Sequence, residues 1–223
     1  MSEPTLASRT GRGLSREELA ARIARDLWPG ATVNLGIGIP LLVANHIPTD
    51  GSIAVHTENG LLGMGRAATG EEVDPDLIGA GKGYTTAVPG ASVFDSSISF
   101  GMIRSGRLDV TVLGALEVSE TGDLANWYVP GGRPGVGGAM DLVSGAREVW
   151  VATQHVDRAG RPKLVRRCRY PLTGRGVVTR VFTDLAVFEV RDGRLVLREL
   201  APGMDADGVA ANTEAAFVTD VSP

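Results

Sequence analysis

The stretch "SREELAARIARDLWPGATVNLGIGIPLLVANHI", residues 15–47, contains the signals of a helix, a strand and a second helix in succession. Ser15 and Glu18 form a capping box, and the apolar residues that follow recur at helical spacing up to a Pro-Gly pair. The segment "ATVNL" predicts a buried strand, and Pro40 suits the first residue of a new helix after the glycines. A helix–strand–glycine turn–helix order predicts an α/β fold.

The rest of the chain continues this alternation. Strands are predicted at "GSIAVHTENG", "YTTAVPGASVF" and "EVWVATQHV", and helices at "SSISFGMIRSG", "AMDLVSGA" and "DADGVAANT". The run "LDVTVLGALEV" is a long, largely apolar run rich in β-branched residues, which predicts one central parallel strand. "VTRVFTDLAVFEV" and "RLVLREL" predict a late hairpin joined near Asp192-Gly193. We therefore predict an open, mostly parallel sheet flanked by helices in a single domain, residues 15–223, after a flexible lead, residues 1–14.

The overall composition argues against several classes of function. The 223 residues carry a net charge of −4 without long charged runs, which indicates no nucleic-acid partner and no membrane partner. No apolar run approaches the roughly 20 residues that span a bilayer. Three histidines lack metal-ligand spacing, so no metal site is predicted. The single cysteine, Cys168, excludes an intramolecular disulfide and favours a cytoplasmic location.

A basic cluster, "KLVRRCR" at residues 163–169, has two interpretations. It is either a solvated edge or loop, or a local contact for a phosphate or carboxylate. The sequence alone leaves both open.

Three glycine-rich motifs are candidates for ligand contact. "GIGIP" lacks the third glycine of a dinucleotide site, and "GAGKG" lacks the Ser or Thr that a P-loop carries after its Lys, here Lys82. That loop is either a plain connection or a phosphate contact through the lysine. "GVGGAMD" enters a helix, where free amides can bind an anion or oxyanion. In "HTENG", Glu58 is either a solvated turn residue or a presented carboxylate.

Taken in order, the motifs resemble those of one family. "NLGIGIP", "ENGLLGMG", "DLIGAGK", "FGMIRSG", "LDVTVLGA", "GDLANW", "GGAMDL" and "YPLTG" resemble the β subunit of the family I CoA-transferases over nearly the whole chain. The resemblance implies that Glu58 is the catalytic carboxylate and that Gly138 is the oxyanion donor. It also implies that Lys82 and Asn126 contact CoA, and that Gly60 and its neighbouring glycines allow CoA to approach closely.

The same resemblance implies the reaction. CoA is moved from succinyl-CoA to a 3-oxoacid, either acetoacetate or 3-oxoadipate, by ping-pong kinetics through a glutamyl-CoA thioester. No metal or organic cofactor is implied, because CoA serves as substrate and transient covalent adduct. The implied partner is a CoA-transferase α subunit, in an α₂β₂ assembly. The alternatives are a transferase for other short-chain acids and a sugar-phosphate isomerase or sensor on a similar fold.

Three positions depart from the pattern of the family. Thr57 stands where Ser is common, Gly79 where Asn is common, and Glu117 where Gln is usual. Thr57 keeps a hydroxyl. Glu117 adds a potential charge, which we expect to alter acyl preference or to shift the pKa of Glu58 by like-charge repulsion.

Overall fold

The structure, a computed structural model, describes residues 13–221, which contain five α-helices, two short 3₁₀ helices (Val43–His46 and Gly70–Glu72) and thirteen strands. The helices are α1 (Arg16–Ala24), α2 (Ile39–Leu42), α3 (Ser96–Arg104), α4 (Ala139–Gly145) and α5 (Ala206–Ala211). The strands are β1 (Thr32–Leu35), β2 (Ala54–Thr57), β3 (Leu61–Ala67), β4 (Thr85–Val93), β5 (Val110–Leu113), β6 (Glu117–Ser119), β7 (Leu124–Ala125), β8 (Glu148–Thr153), β9 (Leu164–Val165), β10 (Arg180–Thr183), β11 (Ala186–Arg191), β12 (Arg194–Leu200) and β13 (Phe217–Thr219).

Ten strands form one open sheet, in the order β13-β12-β11-β10-β8-β5-β1-β2-β3-β4. The central strands, from β10 to β2, are all parallel to their neighbours. Antiparallel pairs flank them, β2-β3-β4 on one side and β10-β11-β12 on the other. Strands β7, β6 and β9 form a separate three-stranded sheet. The predicted α/β fold with an open, mostly parallel sheet is therefore confirmed.

Alternate side chains of the central strands point to two apolar layers, one on each face of the sheet. In β8, Trp150 packs in the layer that contains α1, whereas Val149 and Val151 pack in the layer that contains α3 and α4. This alternation requires both faces to be covered, which explains why the strands read as continuous apolar runs. No helix within residues 13–221 is long and apolar enough to cross a membrane.

The first helix begins as predicted and ends earlier. The Ser15 hydroxyl accepts from the Glu18 amide at 3.3 Å, and the Glu18 carboxylate accepts from the Ser15 amide at 2.7 Å. The helix stops at Ala24, because the next amides bond three residues back and turn Leu27 into the core. Leu14, the last residue of the predicted flexible lead, donates its amide to Asp184 at 2.7 Å. Residues 1–12 of that lead lie outside the described residues.

One predicted strand is wrong. "LDVTVLGALEV" is not a continuous strand, since β5 ends at Leu113 and β6 begins at Glu117 in the other sheet. Glu117 therefore opens a strand and does not end one. Both strands are fully buried, so the hydrophobic pattern carries no sign of the break. The break at Gly114–Leu116 takes the chain across the carboxyl end of the main sheet.

The late hairpin is confirmed. Arg191 of β11 pairs with Arg194 of β12, and Asp192 and Gly193 between them have φ of 51° and 68°. Two consecutive positive φ angles are the geometry that a two-residue hairpin turn favours. The preceding run "VTRVFTDLAVFEV" is two antiparallel strands, β10 and β11, and not one.

Candidate active site

A tight hairpin between β2 and β3 presents Glu58 at the carboxyl end of a central strand. The Gly60 amide donates to the Thr57 carbonyl at 3.1 Å, and the Leu61 amide donates to the Thr57 hydroxyl at 3.0 Å. Gly60 has a φ of 107°, in the region that favours glycine in such loops. The hydroxyl that Thr57 keeps is thus part of the turn. Asn59 donates its side-chain amide to the Ile78 carbonyl at 2.7 Å, which ties the turn to the next loop.

The glycines of this motif are required by the protein's own packing. A Cβ on Gly60 would lie 1.8 Å from the Phe94 carbonyl oxygen, and one on Gly65 would lie 2.4 Å from the Thr86 hydroxyl. A Cβ on Gly63 would lie 2.9 Å from that of Ala91. Strand β4 and the residue after it therefore occupy the space into which a side chain at these positions would project, so packing alone requires glycine here. The close approach of CoA at Gly60 stays a prediction.

We expect Gly60→Ala to lower the free energy of unfolding by about 4 kcal/mol, since it combines a clash with a positive φ. Urea denaturation measures this loss. Gly101→Ala is the matched control, because no atom lies within 4 Å of the added Cβ in the middle of α3. It should raise stability by up to about 1 kcal/mol. Equal effects of the two substitutions would contradict the packing role of Gly60.

A buried histidine, His56 in β2, lies in the hydrogen-bond network that supports the turn at Glu58. The Ser99 hydroxyl donates to the Thr57 carbonyl at 3.0 Å and lies 3.0 Å from His56 Nε2. The Asn34 side-chain amide donates to the His56 carbonyl and lies 3.2 Å from His56 Nδ1. Because the one Ser99 proton is used on Thr57, His56 Nε2 carries a proton and Nδ1 accepts from Asn34. This pattern requires a neutral imidazole, and burial lowers the pKa of His56 to about 4.

This histidine makes stability depend on pH. The folded pKa lies below the ordinary value of 6.5, so the unfolded chain takes up a proton first as the pH falls. We expect about 3 kcal/mol of stability to be lost between pH 6.5 and pH 4 from this group. Urea denaturation of wild type and His56→Gln at several pH values measures it.

The difference between the two proteins should shrink as the pH falls, because the variant lacks the titrating ring. His46→Gln, at an exposed histidine, is the control and should follow the wild-type pH dependence. Parallel curves for wild type and His56→Gln would contradict the assignment.

Glu58 lies against the start of α4, and both line a cavity of about 370 Å³. A Cβ on Gly138 would lie 2.7 Å from both Cδ and Oε2 of Glu58, so the two residues are in direct contact. Burial raises the pKa of Glu58, a hydrogen bond from the Gly138 amide lowers it, and the nearby Asp141 carboxylate raises it. The net direction is upward. A half-buried, more basic carboxylate against a backbone amide is suited to act as a nucleophile.

Asn126 lines the same cavity, but Lys82 does not. The Asn126 side chain donates to the Gly114 carbonyl at 3.2 Å and accepts from the Thr173 hydroxyl at 2.6 Å, so it supports the break after β5. Lys82 is exposed in a tight turn, where its φ is 65° and its amide bonds to the Gly79 carbonyl at 2.9 Å. The CoA contacts of both residues stay predictions. The structure brings Glu58, Gly138 and Asn126 together.

The expected electrostatic effect of Glu117 on Glu58 is wrong. Glu117 is buried and accepts from the Arg169 amide at 2.6 Å and from Arg169 Nε at 2.7 Å. The carboxylate that raises the pKa of Glu58 is Asp141, in the first turn of α4. Asp141 is the last residue of the "GGAMD" motif, so the sequence already showed a carboxylate three residues after Gly138. His56 and Ser99 lie 43 positions apart, and no local pattern connects them.

Comparison with known proteins shows which family this chain matches. Residues 16–212 match the coenzyme A transferase family. The chain is 48% identical over 209 residues to one subunit of a probable succinyl-CoA:3-ketoacid coenzyme A transferase of Bacillus subtilis, covering 93% of this chain and 97% of that one. It is 50% identical over 196 residues to one subunit of a 3-oxoadipate CoA-transferase of Pseudomonas putida, covering 87% and 92%.

A solved structure shows the same fold at lower identity. The apoenzyme of an acyl-CoA transferase from Escherichia coli O157:H7 superposes with a TM-score of 0.72 at 21% identity, over 98% of this chain. This chain spans 44% of the length of that protein.

Proposed function

The chain belongs to the coenzyme A transferase family, and from that membership we propose that it moves CoA between acids through a thioester on Glu58. The observation that carries the proposal is the contact between the half-buried Glu58 carboxylate and Gly138, both of which line the cavity. A carboxylate nucleophile lets the exchange proceed in two matched halves. The motif order and the family membership favour this activity over a sugar-phosphate isomerase or sensor.

The steps balance without a general base. The Glu58 carboxylate attacks the acyl-CoA carbonyl. The C–S bond breaks, CoA leaves as a thiolate, and a mixed anhydride between Glu58 and the acyl group remains. The thiolate then attacks the Glu58 carbonyl of this anhydride. The acid leaves as a carboxylate, and a glutamyl-CoA thioester remains. The acceptor carboxylate then reverses both steps. No proton is transferred, which agrees with a neutral, hydrogen-bonded His56, and the chemistry requires no metal or organic cofactor.

Each attack develops negative charge on a carbonyl oxygen, and we assign its stabilisation to the Gly138 amide. Losing one such donor typically costs about 100- to 1000-fold in rate. The burial that raises the pKa of Glu58 also limits water, which would hydrolyse the anhydride. We retain Lys82 and Asn126 as proposed CoA contacts.

We propose that an α subunit covers the Glu58 cavity, in an α₂β₂ assembly. Ile37 lines the cavity and is 73% exposed. Val93, which pairs with Leu61 beside the Glu58 turn, is 78% exposed. Large apolar side chains exposed beside a cavity mark a surface that a partner buries. The relatives are each named as one subunit of a transferase, which also supports a second chain.

The proposed substrates are succinyl-CoA and a 3-oxoacid, in the cytoplasm. The relatives at 48% and 50% identity are named for 3-ketoacid and 3-oxoadipate transfer, which supports acetoacetate or 3-oxoadipate as the acceptor, and another at 47% identity is named for acetate. Transfer rates with succinyl-CoA and a panel of acceptors that includes acetate identify it.

The mechanism is tested by mass spectrometry of the chain mixed with its α partner and acyl-CoA. We expect the mass of CoA, less one water, on the peptide that contains Glu58. The adduct should disappear when excess acceptor acid is added. Full activity without any adduct would refute the thioester mechanism.

A further inference from the structure

A second cavity, of about 300 Å³, adjoins the one that holds Glu58. Leu116 lines both cavities, and Ala115 lines the Glu58 cavity beside it. The residues of the second cavity are mostly ionisable: Glu117, Asp157, Arg161, Lys163, Arg169 and Tyr170. It contains the start and the end of the basic cluster "KLVRRCR", whose role the proposed reaction does not explain.

Two of the three cations of this cavity are in ion pairs, and the third, Lys163, bonds only to uncharged groups. Arg161 bonds to Asp157 at 2.7 Å, and Arg169 bonds to Glu117 at 2.7 Å. Lys163 donates to the Ala115 carbonyl at 3.0 Å and to the Thr153 hydroxyl at 2.9 Å, both of which are uncharged. Across residues 13–221, no carboxylate lies within ion-pair distance of Lys163. Among the residues that line the cavity, three cations face two carboxylates. Two further carboxylates act on the cluster from outside this lining, since Glu214 lies 3.5 Å from Arg169 and the charge of Asp184 raises the pKa of Lys163.

The position of Lys163 connects this cation to the reaction site. Its ammonium holds the Ala115 carbonyl from one side, while Asn126 holds the Gly114 carbonyl from the other. The Gly114–Leu116 segment is therefore a shared wall, and a substrate that extends from Glu58 past Leu116 enters the second cavity. An ammonium has three donors, and only two are used here. Lys163 is partly buried, and burial lowers its pKa by more than the charges of Asp157 and Asp184 raise it, so a further anion beside the ammonium is favoured.

We propose that this cavity binds a remote anionic oxygen group of the transferase substrate, with Lys163 as its cation. The group is either the second carboxylate of a diacid or a phosphate of CoA, which share the chemistry that a lysine point charge recognises. The inference rests on the proposed function, since it concerns the far end of a substrate that reacts at Glu58. Lys163 is then a residue that determines specificity and not only a support for the wall.

The test compares Lys163→Met with wild type, each with the α partner, using diacids (succinate, 3-oxoadipate) and monoacids (acetate, acetoacetate). A 10- to 100-fold loss of kcat/KM confined to diacids assigns the site to their second carboxylate. An equal loss for all CoA thioesters that vanishes with acyl-pantetheine assigns it to a CoA phosphate. The proposal would be overturned if kcat/KM fell equally for every acid with both CoA and pantetheine thioesters, or if it did not fall at all.

Two controls keep the outcome decisive. Arg166→Met removes an exposed charge from the same segment without touching the cavity, and it should leave the selectivity unchanged. The Glu58 adduct is measured in the same samples. If it forms in wild type and Lys163→Met shows no selectivity change, this inference fails and the proposed function stands. If wild type forms no adduct, the proposed mechanism itself fails.

A measurement on wild type does not depend on the variant folding. Acetic anhydride labels amines, and peptide mass spectrometry reports the labelling of Lys163. Protection by succinate but not by acetate supports a carboxylate ligand, and protection by CoA but not by pantetheine supports a phosphate. Labelling of Lys163 that none of these compounds changes would overturn the proposal.

Discussion

Replacing Glu58 by Gln should abolish transfer, with kcat reduced about 10⁴-fold or more. The amide has the same shape as the carboxylate but does not attack a thioester, so both halves of the reaction are lost. The cavity around it stays the same size, and folding should be unaffected. Initial rates with succinyl-CoA and the α partner measure the loss, and the CoA adduct should be absent from the same protein.

A shorter carboxylate separates position from chemistry. Glu58→Asp keeps the nucleophile but withdraws it by one methylene, and a displacement of about 1 Å typically costs about 100-fold. Glu71→Gln is the matched control, since it makes the same change at an exposed glutamate outside the cavity. A rate for Glu58→Gln above a tenth of the wild-type rate would rule out nucleophilic catalysis by this residue.

Gly138→Ala should lower kcat about 100- to 1000-fold without unfolding the protein. The backbone at Gly138 has φ −87° and ψ 4°, which alanine tolerates, so the effect comes from what the methyl group meets. That group would lie 2.7 Å from Cδ and from Oε2 of Glu58, and it would push the carboxylate away from the amide. Steady-state kinetics and thermal melting measure the two effects separately.

The same loop supplies a control for this substitution. Gly135 lines the same cavity, a Cβ there meets no atom within 4 Å, and its φ is not positive. Gly135→Ala should keep at least half of the wild-type kcat. If both alanine variants lost activity equally, the effect would belong to the mobility of the loop and not to the contact with Glu58.

Glu58 is positioned by one local interaction and one long-range interaction. Glu58 depends on a turn whose bonds span three or four residues, from Thr57 to Leu61. Its contact with Gly138 joins residues 80 positions apart in the chain. The bonds of the turn lie within one sequence motif. The contact between Glu58 and Gly138 exists only when the sheet brings β2 and α4 to the same edge.

Local signals in the sequence predicted the elements that depend on neighbouring residues. The capping box at Ser15 and Glu18 is closed by bonds across three positions. The turn at Asp192 and Gly193 needs only two positive φ angles between alternating strands. Glu58 at a glycine turn was visible for the same reason, and the order of the motifs indicated the family.

Long-range packing decided what the motifs do. Strands β5 and β6 are both buried, and the break at Gly114 follows from which sheet each strand joins. The glycines after Glu58 looked like room for a ligand, yet strand β4 fills the space beside them. The charge near Glu58 was expected from Glu117, but Arg169 neutralises that residue and Asp141 supplies the effect.

By itself, then, the sequence determined the fold class, the carboxylate at the end of β2 and the family, because each depends on patterns within a few residues or on motif order. Only the tertiary structure decided which groups face Glu58, why His56 is neutral beneath the turn, and that the Lys163 ammonium bonds to uncharged oxygens. Those relations join residues tens of positions apart. They depend on strand register and on the exclusion of water, neither of which a single stretch of chain contains.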